Sequence, residues 1–446
     1  MLAVIAIIAV AIAALVLYGD HVGVTIISVT PEASTTVSID AAIQINFDQP
    51  MNQDSVRAHF VTEPKVEGAF RWTSGTLTFV PDPPLNPGQR YTFTIEAGAK
   101  AITGHRLKQD YQWTFFTRAP VAFYLSPANV VDRSLWAVSM TNTTPVEIYA
   151  SADGILDFEP SPDSSMIAVT VYGEEELTAD VWLINPDGSN PRQLTDCAPG
   201  ACGRPVWSPD GRLIAYEYQA RTEVGAIAPS RIWLVDVETG ETAPVYEDNQ
   251  VLGYWATWGP EGRVISFYDS NVTGIRIVNL ETQDEIIIET QLPDAWSFAR
   301  DGQSLLYSDL RQEDQRYLSQ LWVARLSGDN VGRETFLDNP QEDQEAAWSP
   351  DGQWVAFRRR LLDGSQGLGW QLVLYNPTTG ELRQATNDSG YTSRNIQWHP
   401  SGDLIVFQRY NLNVGYSAEI WAYQLSTNQL YLLATDAFNG KWLPYY

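Results

Sequence analysis

Apolar and polar residues alternate in short runs from residue 25 onward, the spacing of strands that bury one face. The first group comprises Thr25-Ile26-Ile27-Ser28-Val29, Ala42-Ile43-Gln44-Ile45-Asn46-Phe47, Ala69-Phe70-Arg71-Trp72, Thr76-Leu77-Thr78-Phe79, Tyr91-Thr92-Phe93-Thr94-Ile95 and Tyr111-Gln112-Trp113-Thr114-Phe115. Turn-forming residues separate these runs, most densely at Pro81-Asp82-Pro83-Pro84-Leu85-Asn86-Pro87-Gly88. Short antiparallel strands at this spacing predict a β-sandwich over residues 27–118. One segment departs from the strand pattern. Leu2 to Tyr18 is an unbroken apolar run that would reach roughly 26 Å as a helix. It predicts a transmembrane anchor at residues 1–18 and a linker at 19–26, with a cleaved signal peptide or a buried core helix as the alternatives.

Beyond residue 118 a phrase recurs: Pro160-Ser161-Pro162-Asp163, Trp207-Ser208-Pro209-Asp210-Gly211, Trp258-Gly259-Pro260-Glu261-Gly262, Phe298-Ala299-Arg300-Asp301-Gly302, Trp348-Ser349-Pro350-Asp351-Gly352 and Trp398-His399-Pro400-Ser401-Gly402. Its fourth positions, 163, 210, 261, 301, 351 and 401, are 47, 51, 40, 50 and 50 residues apart. This period in strand-rich sequence predicts a β-propeller over residues 119–446, each blade a meander of strands A to D. The phrase ends strand A and turns into an apolar strand B such as Leu213-Ile214-Ala215-Tyr216 or Leu404-Ile405-Val406-Phe407. Strand C recurs as Val181-Trp182-Leu183-Ile184, Ile232-Trp233-Leu234-Val235 and Ile420-Trp421-Ala422-Tyr423. Counting phrases gives six blades. Counting strand C gives seven, because Leu135-Trp136-Ala137-Val138 is a further copy lacking its own strand A. The terminal Trp442-Leu443-Pro444 matches the start of a strand A, so the C-terminal strand is expected to complete the first blade and remove a free edge. The expected fold is therefore all-β: a transmembrane helix, a sandwich and a seven-bladed propeller, with six blades as the alternative.

Two resemblances follow from these motifs. Phe47-Asp48-Gln49-Pro50-Met51-Asn52, Leu85-Asn86-Pro87-Gly88-Gln89-Arg90-Tyr91 and Trp113-Thr114-Phe115-Phe116-Thr117 resemble the bacterial Ig-like domain of surface proteins. Leu-x-Pro-Gly-x-x-Tyr looks like a tyrosine corner, in which the phenol ties down the loop before its strand. This resemblance implies an extracytoplasmic spacer or adhesion module without an active site. The repeats at 119–446 resemble the TolB-type, WD-like propeller repeats of bacterial envelope proteins. That implies binding of proteins or small ligands more often than catalysis.

The formal net charge of −26 excludes a nucleic-acid partner, which would need a basic footprint. Lysine occurs only at Lys65, Lys100, Lys108 and Lys441. The two cysteines, Cys197 and Cys202, flank a Pro-Gly turn. They are expected to form a small loop disulfide suited to an oxidising compartment, with free thiols as the alternative.

No Gly-x-Ser-x-Gly elbow, phosphate loop or dinucleotide fingerprint is present, and the four histidines are scattered singly. The acidic groups Glu174-Glu175-Glu176, Glu313-Asp314 and Glu342-Asp343 lack calcium-loop spacing. No catalytic residue, metal ligand or cofactor is therefore expected. Binding residues are sought on the B-to-C connections, which share one face of a propeller and read as long loops, for example Tyr172 to Asp180, Gln219 to Arg231 and Tyr410 to Glu419. Tyr218, Arg221, Arg311, Arg316, Arg358, Arg359, Arg360, Arg409 and Tyr410 gather there. In so acidic a chain they read as a site for an acidic glycan, carboxylate or phosphate, the alternative being salt bridges to neighbouring Glu and Asp. The sequence as a whole reads as a membrane-anchored, extracytoplasmic, non-enzymatic binding or scaffold protein with envelope protein partners. The alternative is a propeller enzyme acting on glycan or peptide in its central cleft.

Overall fold

The computed structural model describes residues 23–73, 75–175, 177–222, 225–313, 315–326, 332–360, 369–415 and 417–444. The expected anchor at residues 1–18 lies outside the described residues. Among the described residues, no helix is long and apolar enough to cross a membrane. The chain divides into two compact units, Met1–Ala119 and Pro120–Tyr446.

In the first unit two four-stranded sheets face each other across an apolar core. One runs in the order Ile26–Thr30, Ile43–Phe47, Thr76–Pro81, Gly68–Thr73. The other runs Thr36–Val37, Tyr111–Thr117, Arg90–Ile95, Phe60–Glu63. Alternation puts Ile43, Ile45, Leu77, Phe79, Phe93, Ile95 and Phe115 inside, each at most 1% exposed. The Asn86 N–H donates to the Tyr91 hydroxyl at 2.8 Å, which is the contact a tyrosine corner requires. Alternation did not foresee the short helix α1, Gln53–Ala58. Six residues are too few to establish a helical period. Its start is visible only in Asn52, whose side chain accepts the Ser55 N–H at 2.9 Å.

The second unit is built of four-stranded antiparallel meanders, labelled here as sheets I to VII in chain order. Sheet I holds Val121–Ser126, Ser134–Ser139 and Val146–Tyr149, and its fourth strand is the C-terminal Phe438–Trp442. Sheets II (from Ile155) and III (from Ala201) are joined by one parallel pairing, Ala179 with Ala201. Sheets IV, V, VI and VII begin at Tyr254, Ser297, Glu342 and Tyr391. The apolar cores lie between consecutive sheets. Phe123 and Leu125 of sheet I pack with Phe158, Ile167 and Val169 of sheet II. The series ends where Val406, Ile420 and Ala422 of sheet VII pack with Ala122, Tyr124 and Trp442 of sheet I.

The recurring phrase makes the same turn each time. In Ser208-Pro209-Asp210-Gly211 the Ser208 hydroxyl donates to Asp210 Oδ1 at 2.6 Å. It also accepts the Leu213 N–H at 2.9 Å. Asp210 takes the Arg212 N–H at 3.1 Å, and these donors hold its carboxyl below the usual range. Gly211, Gly262 and Gly352 sit at φ 71°, 72° and 72°, where a side chain is disfavoured. In sheets III, IV and VII the phrase tryptophan ties the sheet to the one before it. Nε1–H of Trp207 donates to Glu159 O at 2.9 Å, of Trp258 to Val206 O at 3.0 Å, and of Trp398 to Ala347 O at 3.1 Å. His399, which stands at the usual serine position, is buried. Its Nδ1 contacts the Ser401 hydroxyl at 3.0 Å, and burial pushes the ring pKa down to about 3.

Strand pairing shortens two of the expected loops: Tyr410 and Asn411 pair with Ala418 and Ser417 in sheet VII, and sheet V goes further. In sheet V the strands Ser304–Glu313 and Arg316–Arg325 pair to their ends, Glu313 opposite Arg316. Arg311 and Arg316 therefore stand on a long hairpin.

Candidate functional site

In six of the seven sheets the strand that carries the start of the phrase breaks register. The slips fall between Ile155 and Asp157, Gly203 and Val206, Tyr254 and Thr257, Gln344 and Ala347, Arg394 and Gln397, and Phe438 and Lys441. Such bulges bend a strand and re-aim a side chain. In five sheets a residue inside the slip lies three positions before the start of the phrase, Arg204, Trp255, Glu345, Asn395 and Asn439, and Asp157 and Ala295 hold the same offset in sheets II and V. All of these line one cavity of ≈ 770 Å³ that touches the innermost strand of every sheet, the central channel. Arg204, Trp255, Glu345, Asn395 and Asn439 have φ of 51°, 55°, 51°, 53° and 55°. Asn tolerates this conformation. For Arg, Trp and Glu it costs on the order of 1 kcal/mol each.

Side chains around the channel hold the strained backbone. Glu217 accepts the Trp255 N–H at 2.9 Å, and Arg204 Nε lies 3.7 Å from the same carboxylate. Asp294 accepts the Glu345 N–H at 3.3 Å. Glu345 in turn accepts the Asn395 N–H at 3.0 Å and Arg394 Nε at 3.4 Å, with Arg358 at 3.6 Å. Gln408 accepts the Asn439 N–H at 3.3 Å. The bonds to the Trp255, Asn395 and Asn439 N–H groups each join one sheet to the next, whereas Arg204 and Arg358 reach carboxylates of their own sheets. Burial raises the Glu345 carboxyl above its ordinary range against the pull of Arg358, and the nearby Asp294 pushes it the same way. Burial likewise raises Glu217. Where the C-terminal strand meets sheet II, Lys441 is 8% exposed. It donates to Phe158 O at 2.6 Å and to the Glu159 carboxylate, and lies 3.7 Å from Asp157. Burial presses its pKa down, but Asp157 and Glu159 outweigh this and hold it above the ordinary lysine value.

The binding residues expected from the sequence are not brought together. Tyr410 lines the channel. Arg358 lies behind the lining, against Glu345 and over Trp370 at 4.7 Å. Arg359 grips the fully buried Asp343 through two hydrogen bonds of 2.7 and 2.8 Å. Arg360 pairs with Glu342. Arg409 is stacked over Tyr391 at 4.1 Å and Trp421 at 4.9 Å, with Asp388 at 3.9 Å. Arg311 pairs with Asp338 at 2.5 Å. Arg221 forms a backbone bridge with Ile227 inside its own loop. Tyr218 lines a separate cavity of ≈ 530 Å³ beside Cys197, Tyr216 and Trp233. The expected arginine cluster for an acidic ligand is thus replaced by guanidinium groups engaged mostly within their own sheets. The cause is strand geometry: paired strands set Arg358, Arg359 and Arg360 opposite Gln344, Asp343 and Glu342. Cys197 and Cys202 are disulfide-bonded, and the Cys197 N–H donates to Asp180 at 2.8 Å.

The channel residues went unnoticed in the sequence because their identities differ from repeat to repeat. Their signal was positional, a fixed offset from the phrase.

Residues 20–117 match the bacterial Ig-like domain family. No curated protein matches the chain. Solved structures with a similar fold include TolB-type propellers. TolB from Acinetobacter baumannii is 14% identical, with a TM-score of 0.44, covering 95% of this chain and 99% of that one. The periplasmic gluconolactonase of Pseudomonas aeruginosa is 15% identical, with a TM-score of 0.47, covering 73% of this chain and 98% of that one. A puromycin-hydrolyzing peptidase of Mycobacterium tuberculosis is 12% identical with a TM-score of 0.51. That match covers 87% of this chain and 56% of the peptidase. At a TM-score of 0.51 and 12% identity, the peptidase match shows a shared fold alone.

Proposed function

We propose that the protein is an extracytoplasmic binding protein in which the Ig-like domain is a spacer and sheets I to VII form one closed, seven-bladed ring around a ligand channel. One observation carries this reading. A single position per sheet aims chemically different side chains, a Trp, an Arg, two carboxylates and two amides among them, into one channel, and several hold strained backbone to do so. The disulfide and the bacterial Ig-like match support a location outside the cytoplasm. Anchoring through residues 1–18 belongs to the same reading and rests on their apolar sequence. Native mass spectrometry of the full chain, purified gently from its own cells, tests the channel. A bound molecule carried by the natural protein and lost from a folded Trp255→Ala variant supports the reading, and equal retention by both refutes it.

A second reading, a propeller enzyme, is favoured by one pair. Burial raises Glu345 while the neighbouring Asp294 accepts its backbone N–H in the same channel, an arrangement that can separate two carboxylates into acid and base. Release of products from envelope glycans or peptides, abolished in Glu345→Gln, would move the assignment to this class.

A further inference from the structure

The charges of the central channel are balanced in number but not in exposure. Its lining holds the cations Arg133, Arg204, Arg394 and Lys441 and the carboxylates Asp157, Glu159, Asp294 and Glu345. The side chains of Arg204 and Arg394 are 53% and 51% exposed. Those of the carboxylates run from 8% at Glu345 to 28% at Glu159. A molecule entering the channel therefore meets guanidinium groups in front and carboxylates behind.

Hydrogen bonding sharpens the contrast. The carboxylates are engaged by protein donors: Asn439 Nδ2 on Asp157 at 2.5 Å, Lys441 on Glu159, the Glu345 N–H on Asp294 and the Asn395 N–H on Glu345. Arg133 is engaged as well, donating to Ala128 O at 3.1 Å and lying over the Phe438 ring. Arg204 and Arg394 are different. Among the described residues the Arg204 guanidinium donates no hydrogen bond, and the Glu217 carboxylate stands 3.7 Å from its Nε. Arg394 reaches Glu345 through Nε at 3.4 Å, and among the described residues its terminal nitrogens have no acceptor. Elsewhere in the propeller a guanidinium closes on its carboxylates, as Arg276 does on Asp269 and Glu285 at 2.9 and 2.6 Å. A guanidinium with unused terminal donors in a concave site is suited to a carboxylate or phosphate.

The rest of the lining shows what the anion is attached to. Trp255 is 40% exposed and held at φ 55°, with the Arg204 guanidinium 5.9 Å from its ring centroid. An exposed indole face beside a cation with unused donors is a platform for a ring that carries negative charge. Asn395, Gln397 and Thr257 line the same space and can exchange hydrogen bonds with ligand hydroxyls. A flat apolar ligand would use the indole and leave these groups idle, whereas a sugar ring uses both.

We propose that the channel binds an anionic sugar, a hydroxyl-bearing ring with a carboxylate or phosphate, whose charge engages Arg204 and Arg394 and whose ring face lies on Trp255. The inference rests on the reading of the channel as a ligand site and adds the class of ligand. It uses other arginines than those that the sequence gathers on the B-to-C connections. The net charge of −26 opposes an anion at long range only, because physiological salt screens it beyond about 8 Å.

Isothermal titration calorimetry on the full chain in detergent tests this with D-glucuronate, D-glucose 6-phosphate, D-glucose and benzoate. At least one of the two anionic sugars is expected to bind about tenfold or more tightly than glucose and benzoate, and which one does so separates carboxylate from phosphate. Arg204→Gln and Arg394→Gln, with circular dichroism unchanged, are each expected to weaken that sugar by about tenfold and to erase its advantage over glucose. Glucose or benzoate binding as tightly as the anionic sugars, an affinity unchanged in both arginine variants, or no binding of either anionic sugar would each overturn the proposal. The reading of the channel fails by a different result. A neutral or cationic molecule carried by the natural protein and lost from Trp255→Ala refutes the anionic sugar and keeps the channel, whereas equal retention by both proteins refutes the channel itself.

Discussion

At the scale of single residues, the phrase that marks the repeats is a turn with assigned parts. Serine caps the following strand, aspartate gathers donors, and the last position needs a left-handed backbone. The first copy has Ser164 at that position, at φ 61°. Ser164→Gly relieves strain of about 1–2 kcal/mol against an entropic cost of about 0.5–1 kcal/mol. A small gain, up to about 1 kcal/mol, is therefore expected in chemical denaturation. The tryptophan position predicts the opposite sign. Trp258→Phe keeps the ring but removes the 3.0 Å bond to Val206 O between two sheets. A loss of about 1–2 kcal/mol is expected by the same measurement. Trp348 shows the limit of sequence equivalence. It occupies the same place in the phrase, yet its Nε1 has no partner among the described residues, while in the preceding sheet Trp296 bonds Ser266 Oγ at 2.8 Å.

At the scale of the element, register decides what a charged side chain is for. Arg358, Arg359 and Arg360 look alike in sequence, and pairing with the strand Glu342–Trp348 gives each a different neighbour. Arg359→Gln leaves the carboxylate of Asp343 buried with, among the described residues, the Asn339 amide at 2.9 Å as its one remaining side-chain donor. A destabilisation of about 3–5 kcal/mol is expected for breaking such a pair, read by thermal unfolding. If the group served a ligand, binding would fall and stability would not. Register also explains the channel. A bulge sits between paired strands, and alternation along one strand cannot reveal it, because the slip is a relation to the neighbour. The fixed offset from the phrase was available in the sequence, but unlike side chains at Arg204, Trp255 and Asn395 gave no reason to align them.

At the scale of the whole molecule, the C-terminal strand Phe438–Trp442 pairs with Val121–Ser126 and brings Lys441 against Asp157 and Glu159. Lys441→Met removes the cation and leaves both carboxylates. A loss of about 3–5 kcal/mol is expected near pH 7. Burial already raises Glu159 above its ordinary 4.5. A raised carboxyl contributes stability that is present below its unfolded pKa and lost as pH rises through the folded one. The variant should therefore lie closest to the natural protein at or below pH 4.5 and fall progressively further behind as pH rises. Thermal unfolding of both proteins across that range checks the sign, and a gap that widens toward acid pH would contradict the assignment.

The sequence by itself determined the all-β class, the tyrosine corner and the repeating turn, because each depends on contacts within a few residues or on a two-residue period. It also carried the clue to closure, since Trp442-Leu443-Pro444 repeats the start of an inner strand at the far end of the chain. What only the tertiary structure decided are the relations between strands: which carboxylate faces Arg358 and which side chains the bulges turn into the channel. Those depend on register and on neighbours hundreds of residues away, as Asn439 bonding Asp157 at 2.5 Å illustrates. Alternation within a single strand is the same for either neighbour, so it could not have named them.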